Sequence, residues 1–143
     1  MARSKMTPYE VFIGTWNTHG VVLATDDAPA TTLTATDTYR WLPGRHFIVH
    51  EVDARFGDQP TRSMEIMGFD AARRRHFAQS YDDRGGSQRF HVSLERRRWI
   101  ITGETVRFDG RFDARANRLT GLWELRGRRG RWQPWIELEL ARA

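Results

Sequence analysis

Turn-forming residues divide this chain into short segments, and none of these segments carries a helical repeat longer than two turns. The clearest breaks are Pro43-Gly44, Gly57-Asp58, 82–86 and 127–130, where glycine, proline and aspartate favour tight hairpin connections. Ten β-strands are predicted between the breaks, at residues 15–24, 32–42, 45–55, 61–69, 75–81, 88–95, 98–103, 105–112, 118–126 and 131–141. Many short strands separated by turn signals are typical of a sandwich or a barrel.

The last predicted strand shows the expected alternation most clearly. Ile136, Leu138 and Leu140 lie on one face and alternate with Glu137 and Glu139 on the other. Consecutive hairpins without long crossovers describe an up-and-down sheet, and closing that sheet removes its exposed edges. We therefore predict an all-β fold with a single domain over residues 1–143, an up-and-down antiparallel β-barrel of about ten strands.

The N-terminal segment predicts a short helical turn followed directly by the first strand. Residues 7–13 carry Thr7 as a candidate N-cap and Pro8 at the first helical position. The triplet Gly14-Thr15-Trp16 opens the first strand, and the glycine permits a tight backbone turn. We expect the Trp16 side chain to fold over the floor of the barrel.

Composition excludes several classes of protein. The chain has no cysteine, which rules out disulfides, thiolate metal sites and a cysteine nucleophile. No apolar run approaches the ~20 residues of a membrane span, and residues 1–9 lack the apolar core of a signal peptide, so a cytoplasmic location is expected. The net charge of +5 permits an anionic partner without requiring one, and a homodimer is compatible with the sequence.

Several motifs resemble those of an uncharacterised bacterial lipocalin-like family of the calycin type. The resemblance rests on Gly14-Thr15-Trp16, 39–47, 68–70 and 81–85, and it implies an eight-to-ten-stranded barrel without an established activity. Fatty-acid-binding proteins are more distantly similar, but they place a helical lid where this chain has only residues 25–31. Nitrobindin-like proteins share the glycine-tryptophan opening and hold haem through a late histidine. This chain has no histidine after His91, so no haem or other cofactor is predicted.

Aromatic and polar residues predict a ligand cavity inside the barrel. A ten-stranded barrel is wider than side chains readily fill, so we expect it to bind a small, partly apolar ligand that could carry an anionic group, without catalysis. The predicted ligand-binding residues are Trp16, Tyr39, Trp41, His50, Met64, Tyr81, Trp99, Arg107 and Trp123. The sequence leaves open which face of strand 45–55 points inward, because both faces mix apolar and polar residues.

A barrel enzyme is the first alternative, with the His46, His50 and His76 region supplying acid and base. No catalytic residue is identified, because neither a nucleophile motif nor a paired-carboxylate motif is present. His46 and His50 are separated by roughly 13 Å of strand and cannot share one metal ion without a bulge. Either histidine could meet His76 or Glu65 across strands, but no metal site is predicted.

A basic rim is the second alternative. Arg73–Arg75 and Arg96–Arg98 fall in even-numbered turns, which share one end of an up-and-down barrel with Arg45 and Arg115. The arginines of 126–131 would lie at the opposite end. Such a rim could attract an anionic ligand, an anionic lipid or a nucleic acid. The simpler interpretation is that these arginines only keep the turns solvated, and a nucleic-acid partner is not favoured.

Overall fold

The structure, a computed structural model, describes residues 4–143 as a closed barrel of ten antiparallel strands preceded by one short helix. The helix is a 3-10 helix over Thr7–Phe12. The strands are β1 (Gly14–Val22), β2 (Thr31–Trp41), β3 (Ile48–Phe56), β4 (Gln59–Asp70), β5 (Arg75–Asp82), β6 (Ser87–Glu95), β7 (Arg98–Thr102), β8 (Val106–Phe112), β9 (Arg118–Arg126) and β10 (Trp132–Arg142). This confirms the predicted up-and-down barrel.

Pairing of the first strand with the last closes the barrel. Each strand pairs with its neighbours in sequence, and β1 pairs with β10 in a register that sets Trp16 opposite Arg142. The β9–β10 register shifts between Pro134 and Ile136, where proline lacks the N–H that a regular ladder needs. Trp135 and Ile136, although adjacent, consequently both line the interior.

The helix seals one end of the barrel, which we call the closed end. Met6, Tyr9 and Phe12 are each about 1% exposed, and the Phe12 ring lies 4.7 Å from the ring of Trp99. The prediction of Thr7 as N-cap is wrong by one residue, because Met6 occupies that position without a side-chain capping bond. The Thr7 hydroxyl instead donates to the backbone carbonyl of Ser4 at 3.0 Å, which ties down the start of the helix.

Trp16 lies across this closed end, as the sequence predicts. Its indole Nε1 donates to the carbonyl of Phe12 at 2.8 Å. The guanidinium of Arg142 lies 4.1 Å from the centre of a Trp16 ring. The same guanidinium donates to the carbonyl oxygens of Val11, Ile13 and Ala116. One arginine therefore joins the last strand to the helix, the first strand and the β8–β9 turn.

The opposite end, which we call the mouth, carries the β1–β2, β3–β4, β5–β6, β7–β8 and β9–β10 turns. Its left-handed turn positions are filled by Gly57, Gly85 and Gly130, the residue type that adopts positive φ without a steric cost. At the closed end, the non-glycine residues with positive φ are Arg45, Arg74, Arg96, Arg97 and Ala116. Within residues 4–143, no helix has the length and apolar composition needed to cross a membrane.

Candidate functional site

A cavity of about 500 Å³ occupies the barrel interior and reaches the exposed β5–β6 turn at the mouth. Its two sides differ in chemistry. The lining residues of β7–β10 are all apolar: Trp99, Ile101, Val106, Phe108, Leu119, Trp123, Trp135, Ile136, Leu138 and Leu140. The lining residues of β4 and β5 are all polar: Thr61, Ser63, Glu65, Ser80 and Asp82. The cavity thus has an apolar wall and a polar wall that face each other across the barrel.

A buried histidine between two carboxylates lies at the closed-end side of the polar wall. His50 Nε2 is 2.7 Å from Asp37 Oδ2, and His50 Nδ1 is 3.2 Å from Glu65 Oε1. The Thr18 hydroxyl donates to the second Asp37 oxygen at 2.6 Å. The His50 and Asp37 side chains are only about a tenth exposed. We refer to Asp37, His50 and Glu65 as the buried triad.

The strand register creates this triad. Asp37, His50 and Glu65 come from three neighbouring strands, β2, β3 and β4, and all three side chains point inward. His50 is directly opposite Glu65 in the β3–β4 ladder, where facing side chains are close enough to bond. The inward face of β3 is therefore the one that carries Ile48, His50 and Val52, which the sequence left open.

The two carboxylates keep His50 protonated. Burial alone would lower the pKa of His50, but its hydrogen bonds to Asp37 and Glu65, with their negative charges, raise that pKa to about 9. At neutral pH both ring nitrogens carry protons, and each donates to one carboxylate. Two carboxylates and one imidazolium leave the buried triad with one net negative charge. His50 therefore acts as an internal counter-ion and has no free nitrogen to offer as a base.

Tyr39 packs directly on the imidazolium. The two rings stack with centroids 3.9 Å apart and planes only 10° from parallel. Burial of Tyr39, and then the charges of Asp37 and Glu65, raise the pKa of its phenol well above the ordinary value. The phenol is therefore neutral and protonated at physiological pH. Tyr39 also lines the cavity.

The structure brings some of the predicted ligand-binding residues to the cavity and places others elsewhere. Tyr39, His50, Trp99 and Trp123 line it. Trp16 and Trp41 also point inward but pack at the closed end, beyond the cavity. Met64, Tyr81 and Arg107 lie on the outer face, with Met64 40% and Tyr81 50% exposed. Arg107 pairs there with Glu124 at 2.8 Å and covers the ring of Trp132.

The outward position of Met64 and Tyr81 corrects the predicted faces of β4 and β5. Met64 and Tyr81 were predicted to point inward because the hydrophobic effect usually buries apolar residues. Here Ser63 and Glu65 point inward, so their neighbour Met64 must point outward. Arg107 is excluded for the same reason, because its neighbours Val106 and Phe108 occupy the interior.

Asp37 is the functional candidate that the sequence analysis missed. It shares a strand face with Leu33, Ala35, Tyr39 and Trp41, which are otherwise apolar or aromatic. A single carboxylate on a face that is otherwise buried is costly unless it is paired. That exception to the pattern is a signal in the sequence for an interior charge.

The three histidines of the enzyme alternative do not meet. His46 is exposed in the β2–β3 turn. His76 lies at the closed end, where its ring centroid is 4.6 Å from that of Tyr9 with the planes tilted by 31°, and its Nε2 is 2.9 Å from the Lys5 carbonyl oxygen. Only His50 reaches the cavity. Among residues 4–143, no group of three or more histidine, aspartate and glutamate side chains is arranged to hold a metal ion.

The arginine clusters of the second alternative surround the closed end. Arg73, Arg96 and Arg97 lie in the β4–β5 and β6–β7 turns, on the opposite side of the molecule from the mouth. Several rim arginines are already paired, as Arg73 is with Asp70 and Arg98 is with Asp109. This closed-end rim is therefore remote from the mouth, whereas the arginines of 126–131 lie at the mouth, at the end of β9 and in the β9–β10 turn.

Comparison with known proteins gives a family and a fold. A family model described as a protein of unknown function (DUF1579) matches residues 9–104. No curated protein matches the chain. A solved structure, the crystal structure of Rv2717c from M. tuberculosis, superposes with a TM-score of 0.71. The alignment covers 96% of each chain at 10% sequence identity, so the likeness shows a shared fold only.

Proposed function

This chain belongs to the DUF1579 family, whose function is unknown, and we propose that it binds a small, partly apolar molecule inside its barrel. One observation carries the proposal: the interior holds a cavity of about 500 Å³ whose apolar and polar walls are on opposite sides. Cavities of this size with a few placed polar groups are typical of small-molecule sites.

The two walls favour one orientation of the ligand. Its apolar body would lie against Phe108, Trp123 and Leu138, because burying that surface removes it from water. Its polar group would face Glu65 and Ser80, which are paired in the β4–β5 ladder. Access would come through the mouth, since the helix and Trp16 seal the closed end.

Binding is favoured over catalysis by the state of His50. Both of its ring nitrogens are committed to carboxylates, and its pKa of about 9 keeps it protonated near neutral pH. A general base needs a free lone pair within reach of the substrate. The interior therefore offers fixed charges and hydrogen-bond acceptors that suit recognition.

Filling the cavity is expected to weaken binding without removing any side chain from the core. Ala35 lines the cavity between Thr18 and Ala54, its partners on β1 and β3, so Ala35→Phe would place a ring inside the site. Thr34→Phe is the matched control, because the neighbouring Thr34 is exposed on the outer face. With the neutral fluorescent probe N-phenyl-1-naphthylamine, we expect Ala35→Phe to weaken binding about tenfold or more and Thr34→Phe to leave it unchanged.

Circular dichroism would verify that both variants retain the barrel. Equal probe affinity in Ala35→Phe and the wild type would contradict an internal site. Native mass spectrometry of protein purified from its own host, compared with the denatured mass, would then identify the class of the natural ligand. A reproducible added mass that is lost on denaturation is the expected result.

A further inference from the structure

The charges that line the cavity are opposite in sign to the charge of the protein. The chain carries 23 lysine and arginine residues and a net charge of +5. The described lining residues nevertheless include no lysine or arginine, while they include Asp37, Glu65 and Asp82. His50 is the one basic side chain among these lining residues, and its positive charge neutralises only one of the two carboxylates that it contacts. The interior is therefore an acidic compartment within a basic protein.

From this contrast we propose that the cavity binds an organic cation, a protonated amine attached to an aromatic or branched aliphatic body, with Glu65 as its counter-ion. The proposal rests on the internal binding function proposed above and adds the charge of the ligand. It replaces the expectation of an anionic group, because an anion would have to approach the negative buried triad in a poorly solvated interior.

Two acceptors are available for the ammonium group. Glu65 uses Oε1 for His50, and within residues 4–143 its Oε2 makes no hydrogen bond. Tyr39 supplies the second acceptor, because it lines the cavity although only 6% of the residue is exposed. A carboxylate and a phenol oxygen both accept from an ammonium, and a bond between charged groups is the stronger of the two.

The apolar wall suits the body of such a ligand. Phe108 and Trp123 lie with ring centroids 5.3 Å apart and present aromatic surface to the cavity. Aromatic faces attract cations as well as apolar groups. A metal cation fits less well, because no group of three suitable ligands is present among residues 4–143. An organic cation uses both walls at once.

Three probes with the same aromatic body test the charge. 1-Naphthylmethylamine, 1-naphthalenemethanol and 1-naphthaleneacetic acid differ in the polar group, which is cationic, neutral or anionic at pH 7. Isothermal titration calorimetry on the wild-type protein should give an affinity for the amine about tenfold or more above that for the alcohol, with the acid weakest.

In the variant Glu65→Gln, the ratio of amine affinity to alcohol affinity should fall from about tenfold or more to about one, because glutamine keeps a polar group but loses the negative charge. Glu51→Gln is the matched control, because Glu51 lies on β3 next to His50 but is exposed on the outer face. It should bind all three probes as the wild type does. If Glu65→Gln does not fold, the affinities of the three probes for the wild-type protein still test the charge of the ligand.

The outcomes separate the two proposals. If the alcohol or the acid binds as tightly as the amine, the cation inference is overturned while the internal binding function stands. If none of the three probes binds, both are overturned. A preference for the amine that survives in Glu65→Gln would overturn the assignment of Glu65 as counter-ion.

Discussion

Replacing Trp16 with alanine is expected to lower the free energy of unfolding by about 3–5 kcal/mol, the usual cost of truncating a fully buried tryptophan. Trp16 is about 1% exposed and lies under the guanidinium of Arg142. The truncation would leave a cavity at the closed end and deprive the Phe12 carbonyl of its indole donor. Urea unfolding followed by circular dichroism would measure the loss.

Trp132→Ala is the matched control for this variant. Trp132 is a half-buried tryptophan on β10, and the guanidinium of Arg107 lies 4.3 Å from the centre of its ring. Because that contact is on the outer face, its removal should cost only about 1 kcal/mol. Similar losses in the two variants would show that the closed end contributes no more to stability than an outer-surface contact.

Stability should fall as the pH rises from about 6.5 to about 9. Against the opposing effect of burial, the hydrogen bonds to Asp37 and Glu65 raise the pKa of His50 from its ordinary value of 6.5 to about 9 in the folded protein. A raised pKa stabilises the fold fully below the unfolded value, and the stabilisation is lost as the pH rises through the folded value. The steepest slope expected is about 1.4 kcal/mol per pH unit, and the total loss is about 3 kcal/mol.

Urea titrations at several pH values would measure this dependence. His50→Gln should flatten the curve between pH 6.5 and 9, since glutamine has no proton to release. His19→Gln is the matched control, because His19 is exposed on the outer face of β1 and makes no contact with the buried triad. A wild-type protein whose stability does not change over this range would contradict a protonated His50 held by Asp37 and Glu65.

The number and order of the strands follow from local chemistry, which explains why they could be predicted from the sequence. Turns such as Pro43-Gly44 and the segment 127–130 are determined by a few adjacent residues, and β-strands alternate between them. The fold class, the ten strands and the N-terminal helical turn were predicted correctly on that basis. Membership of a lipocalin-like family stays a prediction.

The polar wall could not be predicted in the same way. Hydropathy assigns the apolar face of a strand to the interior, but β4 and β5 direct Glu65 and Ser80 inward while Met64 and Tyr81 face outward. Only the register with β3, which sets His50 opposite Glu65, determines which face of β4 points inward. Where a barrel has a polar interior wall, the rule that apolar residues are inside fails at the residues of that wall.

Closure of the barrel by β1 and β10 constrains how the chain reaches its folded state. The register that sets Trp16 opposite Arg142 joins segments from opposite ends of the described chain. Contacts of such long sequence separation slow folding, because loop-closure entropy is lost before the contact forms. During synthesis, β1 is made long before β10, its partner in the closed barrel. Until β10 follows, the nascent sheet has two open edges and an uncovered apolar wall, so it needs protection from aggregation.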